Sequence, residues 1–362
     1  MCPSTAATPL CDRLPAQQKG LAMSLGLHES VQRAAQARRP RLRLPRGPFV
    51  PVWAMTAVLF AISPLIAPGS LSGAALSSML PFASILVLAA LGQAFVITQR
   101  GIDLSVPGAM ALAALFATKV PELTGLPLAV SAVLGLLAGA AGGLVIGVLV
   151  VRFGIAAFVA TLAMNTILIG VVLEISKGFP ASANPAVSAF ATGSVWTVPN
   201  LLIVAVILVA ITQWLRRRSV PGRRFLSVGA NPAAARLLGI RAEGYQVSAY
   251  AIGGLLYALA GLLLAAYLRT PDILLGNTYQ LSSIAAVVLG GSLLTGGMSS
   301  AVATGVAALF LTQLNQVVLA AGAATSIQLL VQAAVLALAV VLRRVPLSAI
   351  PRRLSGNRAT SR

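Results

Sequence analysis

Acidic side chains are nearly missing from this chain. It has 362 residues, with 7 Asp+Glu against 26 Lys+Arg, and a single histidine. Carboxylates and imidazoles carry most general acid–base chemistry. Here the histidine, His28, lies in a basic N-terminal stretch, and no paired acids or metal ligands sit on neighbouring segments. Covalent catalysis therefore has no residues to rest on, and the expectation is a non-enzyme without a metal site. The two cysteines, Cys2 and Cys11, lie in the same stretch. They have neither metal-ligand spacing nor the makings of a disulfide framework. Lysine is scarce too: Lys19, Lys119 and Lys177 follow Gln18, Thr118 and Ser176, so there is no Gly-Lys pair. A phosphate-binding P-loop needs that pair, which excludes a Walker-type ATP site. Charge of either sign makes up 9% of the residues, against about 25% in soluble domains.

What fills the chain is apolar: 58% of residues are hydrophobic and the mean hydropathy is +0.92. A net charge of +19 in a soluble protein would suggest nucleic acid, but the positions of the basic residues oppose that. They crowd the N-terminal tail (Arg33 to Arg46), a central loop from Arg216 to Arg241, and the C-terminal tail (Arg343 to Arg362). That is the distribution of positive-inside loops. Crossing the hydrocarbon core takes about 20 apolar residues. Candidate spans are 49–68, 77–98, 104–119, 125–151, 155–175, 199–215, 246–268, 299–321 and 325–342, with a shorter, glycine-rich tenth at 280–295. Counting nine would place the arginines after Arg343 outside, so ten is preferred. Only Lys119, Lys177 and Arg269 then fall on the outer side. The expected architecture is an all-α, polytopic membrane bundle of about ten helices with both termini cytoplasmic. Residues 1–46 form a basic, poorly ordered cytoplasmic tail, with no signal-peptide pattern at the start. Residues 47–343 form the membrane domain, and 344–362 a second cytoplasmic tail. Two loops are long enough to meet partners: an outer one at 176–198 and an inner one at 216–245.

The inner loop contains its own short helix. Asn231 caps it, Pro232 suits its first turn, and Gly239 closes it after Ala233, Ala234, Ala235, Arg236 and Leu237. A helix of about 7 residues is unstable alone in water and must pack on something. Such a segment either joins two helices or serves as a knob on which a soluble motor can push. A second motif runs from Gln93 to Pro107. In it Gly101 permits a turn, and Ile102, Asp103, Leu104 and Ser105 lead to a proline suited to a first helical turn. A carboxylate at a membrane boundary is costly unless paired or wet; Arg100 is a possible partner, and capping is the favoured role. Among the neutral amides inside spans, seven are candidates for a translocation path: Gln93, Asn165, Gln313, Asn315, Gln316, Gln328 and Gln332. As a set they suit the path of a polyol better than that of an ion. Singly, each is as well suited to bonding between helices, a role worth about 0.6 kcal/mol. Residues 101–116 and 295–310 also align without gaps, a faint internal repeat.

Gly101-Ile102-Asp103-Leu104-Ser105-Val106 resembles the Gly-Gly-Ile-Asp-Leu-Ser-Val signature of the ribose-type sugar ABC importer permeases. Three further blocks look like the same family, in the same order: Phe153 to Leu162, Gly229 to Ile240, and Ile284 to Ser292 with Gly296-Gly297. Together they cover roughly residues 75–343. The chain departs from the pattern where Gln99-Arg100 replaces small residues, where Pro107 stands for glycine, and where Met298 stands for a basic residue. The resemblance implies a permease subunit of the bacterial inner membrane that translocates a monosaccharide or polyol. A cytoplasmic ATPase, a periplasmic sugar-binding protein and a second permease subunit would be its partners; ATP and magnesium would sit on the ATPase, with no cofactor in this chain. Residues 231–239 would be its coupling helix. The competing readings are an ATP-independent secondary transporter, for which a mid-span carboxylate is missing, and related permeases for branched-chain amino acids or nucleosides.

Overall fold

The computed structural model describes residues 49–344; the expected tail at 1–46 and almost all of the tail at 344–362 lie outside the described residues. Within that range the regular elements are all helices apart from one two-strand hairpin. The first half holds α1 (Val50–Ile66), α2 (Gly73–Thr98), α3 (Val106–Ala117), α4 (Lys119–Thr124), α5 (Leu128–Val151) and α6 (Ala157–Ser176). An outer excursion follows, with α7 (Pro185–Thr192) and the antiparallel pair β1 (Ser194–Val195) and β2 (Val198–Pro199). The second half holds α8 (Asn200–Arg218), α9 (Val220–Ala230), α10 (Pro232–Leu237), α11 (Ala242–Leu268), α12 (Asn277–Leu289), α13 (Ala301–Ala320) and α14 (Thr325–Arg344). Six of these, α2, α5, α6, α8, α11 and α13, are long and apolar enough to cross a membrane.

Burial sorts the long helices into centre and periphery. In α2, 83% of the most apolar window is buried, and in α11, 67%; in α6 and α8 the share is 22%. A helix that is apolar on every face belongs in a protein interior or in lipid. Here the two classes divide that way, with α2 and α11 forming the core and α6 and α8 turning apolar side chains outward. The contact between α5 and α11 is set by glycine. Gly135, Gly139, Gly143 and Gly147 recur every fourth residue along one face of α5. A Cβ on Gly143 would run into the Tyr250 carbonyl, and one on Gly147 would lie 2.9 Å from the Val247 carbonyl oxygen. Small residues at this spacing let helix backbones approach closely, which is how helices gain packing energy in lipid.

The spans expected at 104–119 and 280–295 differ in detail from the observed elements. α3 has 12 residues and α12 has 13, so at 1.5 Å per residue they rise only about 18–20 Å, short of a hydrocarbon core of about 30 Å. Both are flanked by non-helical chain, at 99–105 before α3 and at 290–300 after α12. Irregular backbone at that depth is tolerated only inside protein, and the protein here supplies its hydrogen bonds. Gln280 Nε2 donates to the Leu104 carbonyl at 3.0 Å, and the start of α12 abuts the first turn of α3, where a Cβ on Gly276 would lie 2.7 Å from Pro107 Cα.

Candidate coupling site at the basic end of the bundle

The inner loop expected at 216–245 is mostly helix. α8 continues to Arg218, and Ser219 then caps α9, its Oγ accepting from the Gly222 N–H at 3.0 Å. Phe225 and Val228 turn inward from α9 and are buried, while Arg223 and Arg224 stay exposed. At Asn231 the chain breaks direction. Asn231 Oδ1 accepts from the Ala234 N–H at 3.1 Å, and Pro232 occupies the first turn of α10. The helix ends in paired backbone bonds, Gly239 N to Arg236 O at 2.9 Å and Ile240 N to Ala235 O at 3.0 Å, with Gly239 at φ +75°. This is the Schellman closure, which favours glycine at its left-handed position. Ala235 packs with Val228 and Ala242 beneath the knob, whereas Leu237 and Leu238 remain 90% and 79% exposed. Two bare leucines thus project from a face otherwise rich in arginine.

This knob is tied directly to the core. Three segments meet backbone to backbone: the end of α2, the end of α9 and residues 296–299. Gly297 N donates to Thr98 O at 2.9 Å, and the Thr98 and Ser299 hydroxyls lie 2.8 Å apart. Gln99 Nε2 donates to Phe225 O at 2.7 Å. Arg100 Nε donates to Gly229 O at 2.9 Å, and its Nη2 to Ala230 O. Arg100 therefore does not pair with Asp103; its guanidinium turns the other way.

Arg216 also departs from the sequence expectation. Instead of opening a solvated loop, it ends α8 as a buried residue, 3% exposed. Its guanidinium lies 4.3 Å from the centre of the Phe95 ring and donates to Ser299 Oγ. Phe95 in turn meets Phe225 edge-on, with ring centres 5.5 Å apart. A desolvated cation–π contact is worth about 2 kcal/mol, while Nε and Nη2 of Arg216 find no partner among the described residues. Sequence reasoning missed this residue because three consecutive arginines read as a helix end in water.

Asp103 is fully buried. Its Oδ1 accepts from the Ser105 N–H at 2.8 Å and from Ser105 Oγ at 2.6 Å, while Oδ2 has no partner. The bond to the residue two positions on is an Asx turn, which sets the chain into α3. Gln93 of α2 holds the same residue by its backbone. In the amide orientation that gives every atom a complementary partner, Nε2 donates to Asp103 O at 3.1 Å and to Tyr257 Oη at 2.8 Å, and Oε1 accepts from Asp103 N at 3.2 Å. Gly101 lies against Tyr250 Oη, where no Cβ would fit, and Ile102 is partly exposed.

The family described as "branched-chain amino acid transport system / permease component" matches residues 75–340 of this chain. The chain belongs to that permease family. It is 35% identical over 291 residues to the ribose import permease protein RbsC of Escherichia coli K12, covering 78% of this chain and 90% of that protein. To RbsC of Bacillus subtilis it is 33% identical over 302 residues, 82% of this chain and 92% of the relative. To the autoinducer 2 import system permease protein LsrC of an Enterobacter species it is 35% identical over 274 residues, 74% and 77% of the two chains. No solved structure matches. With six helices fit to cross a bilayer, this permease is a multi-pass protein of the bacterial inner membrane.

Five of the permease's seven candidate path amides bond between elements. Besides Gln93, Asn165 Oδ1 accepts from Gly108 N at 2.8 Å, joining α6 to α3. Gln313 Nε2 donates to Ser63 Oγ at 2.9 Å, joining α13 to α1. Gln316 reaches Ser70 O and Ala75 O at 3.3 and 3.1 Å, and Gln332 reaches Ser282 Oγ at 3.0 Å, joining α14 to α12. Asn315 and Gln328 are half-buried and are the two of the set that make no such link among the described residues.

Proposed function

We propose that this chain is the membrane-spanning subunit of an ATP-driven importer. It takes a monosaccharide or polyol handed over by a periplasmic binding protein and crosses the membrane ten times with both termini inside. Force comes from a separate ATPase that carries ATP and magnesium and grips the knob formed by Asn231, Pro232, Ala233, Ala234, Ala235, Arg236, Leu237 and Gly239. A second permease subunit completes the path. One observation carries this reading: Leu237 and Leu238 stand bare on a capped helix at the basic end, while the helix before it is bonded to α2. Exposed leucines on a rigid, water-facing knob are a docking feature, and surrounding arginines suit an acidic rim on the partner. The sugar class is supported by relatives whose names specify ribose and autoinducer 2 import, in preference to the amino-acid branch. The ATP-independent alternative is disfavoured because the buried carboxylate, Asp103, is engaged in a turn and no other acid lies deep in the described helices.

The test is a paired Arg236→Asp, Leu237→Asp variant in the reconstituted complex. Solute delivered per ATP hydrolysed, measured with a panel of labelled monosaccharides and polyols, should drop at least tenfold while membrane insertion is unchanged. Undiminished delivery would remove the knob from the mechanism.

A further inference from the structure

Arg100 occupies a position built for glycine. α2 ends with Arg100 N donating to Ile97 O at 3.0 Å and Gly101 N to Val96 O at 3.1 Å, the same pair of bonds that closes α10. At α10 the left-handed residue is Gly239; at α2 it is Arg100, at φ +69°. A residue with a Cβ is strained there, whereas glycine is not. Strain kept at such a point indicates a gain elsewhere, and the gain is visible. The Arg100 side chain passes Gly296, where a Cβ would come within 2.5 Å of its Cγ. It then forks across the last two carbonyls of α9, on Gly229 and Ala230. Those carbonyls lack helical partners of their own, and a cation is favoured at a helix C-terminus. The residue that follows them is Asn231, the cap of the knob.

We propose that Arg100 is a positioning residue that makes α9, the knob and the α2–α3 break move as one body. This rests on the coupling reading above and adds to it a specific strut between motor contact and core. Pulling on α10 shifts the α9 carbonyls; the planar fork resists their separation and passes the displacement to residues 99–105. Those residues carry Asp103 and lead into the half-length helix α3, so a small shift at the knob reaches the middle of the bundle. Gln99, bonded to Phe225 O one turn earlier on α9, braces the same joint.

The experiment uses the complete complex of permease and ATPase in nanodiscs. ATP hydrolysis is measured with and without the purified periplasmic binding protein, together with the unfolding temperature of the permease. Arg100→Gly relieves the backbone and removes the strut. Its unfolding temperature should hold or rise, its unstimulated hydrolysis should stay within twofold of wild type, and its stimulation by binding protein should fall at least threefold. Arg100→Lys keeps the charge but replaces the rigid planar fork with a flexible point charge, and should fall between the two. Wild-type stimulation in Arg100→Gly overturns the proposal. So does a stimulation loss accompanied by a lower unfolding temperature, which would make Arg100 an ordinary structural cap. The Arg236→Asp, Leu237→Asp variant is run alongside. If it keeps full stimulation, the coupling reading itself fails; if it loses stimulation while Arg100→Gly does not, only the strut fails.

Discussion

At the scale of single residues, Asp103 shows what a buried polar group is for when no counter-charge is near. One carboxylate oxygen takes two bonds from Ser105 and the other takes none. Only the first oxygen does structural work, and an amide supplies an equivalent acceptor without a charge to desolvate. Asp103→Asn should therefore leave the unfolding temperature of the purified protein unchanged or slightly raised. Asp103→Ala removes the acceptor and leaves the Ser105 N–H unpaired inside the bundle. It should destabilise by about 1–3 kcal/mol, the cost of an unsatisfied buried donor, read as a lower unfolding temperature in detergent. Equal losses in both variants would mean that the charge itself is used, and the turn would be secondary. Arg216 poses the same question with the opposite sign: it is a buried cation held by an aromatic face and a hydroxyl instead of a carboxylate. For Arg216 the sequence shows the charge but not its surroundings, because the partners, Ser299 and Phe95, lie far from it in the chain, whereas the partner of Asp103 is two residues away.

At the scale of elements, the α5–α11 seam is the clearest case of sequence dictating packing. Adjacent glycines separate the two roles a glycine can have in a helix. Gly143 faces the Tyr250 backbone, whereas Gly142 meets only Leu168 Cδ1, at 3.8 Å. Gly142→Ala should be neutral or stabilising by up to about 1 kcal/mol, the helix-propensity gain. Gly143→Ala must push α11 away and should cost about 1–3 kcal/mol, as overpacking does. Thermal unfolding of the two variants side by side decides the matter, and similar values would mean that the seam is not close-packed. The four-residue glycine spacing was open to reading, yet in a run judged for length it looks like one more apolar span. α9 was equally open: Ser219 before Pro221, then Phe225, Val228 and Gly229 at helical spacing, describe a capped amphipathic helix. The basic side chains between them make it look like a loop. The caps of α10 were legible at Asn231, Pro232 and Gly239 because capping is local. The start of α3 was legible as well, from Pro107 in its first turn, whereas the start of α12 at Asn277 was not, because there Gly276 packs against Pro107.

At the scale of the whole molecule, the two short helices decide how often the chain crosses. α3 and α12 meet near their first turns, where Gly276 lies against Pro107, and each is completed by extended chain leading to the junction of Thr98, Gly229 and Gly297. The faint repeat between residues 101–116 and 295–310 has a physical counterpart there: both stretches leave this junction non-helical and enter a helix, α3 at Val106 and α13 at Ala301. Chain that starts a helix twice from one end of the bundle must return to that end in between. α11 runs away from the junction, so α12 is the segment that brings the chain back. This fits the proposed ten crossings, in which the arginine-rich segments share one side, as the charge rule demands. Fusions truncated after Thr270, Thr295 and Arg344 test this. A phosphatase reporter should be active only at Thr270, and a fluorescent reporter that folds only in the cytoplasm should light up at Thr295 and Arg344. Phosphatase activity at Thr295 would make α12 a segment that enters and leaves on the outer side. The chain end would then be outside, its arginines on the wrong side of the field, against the charge rule that the rest of the chain obeys.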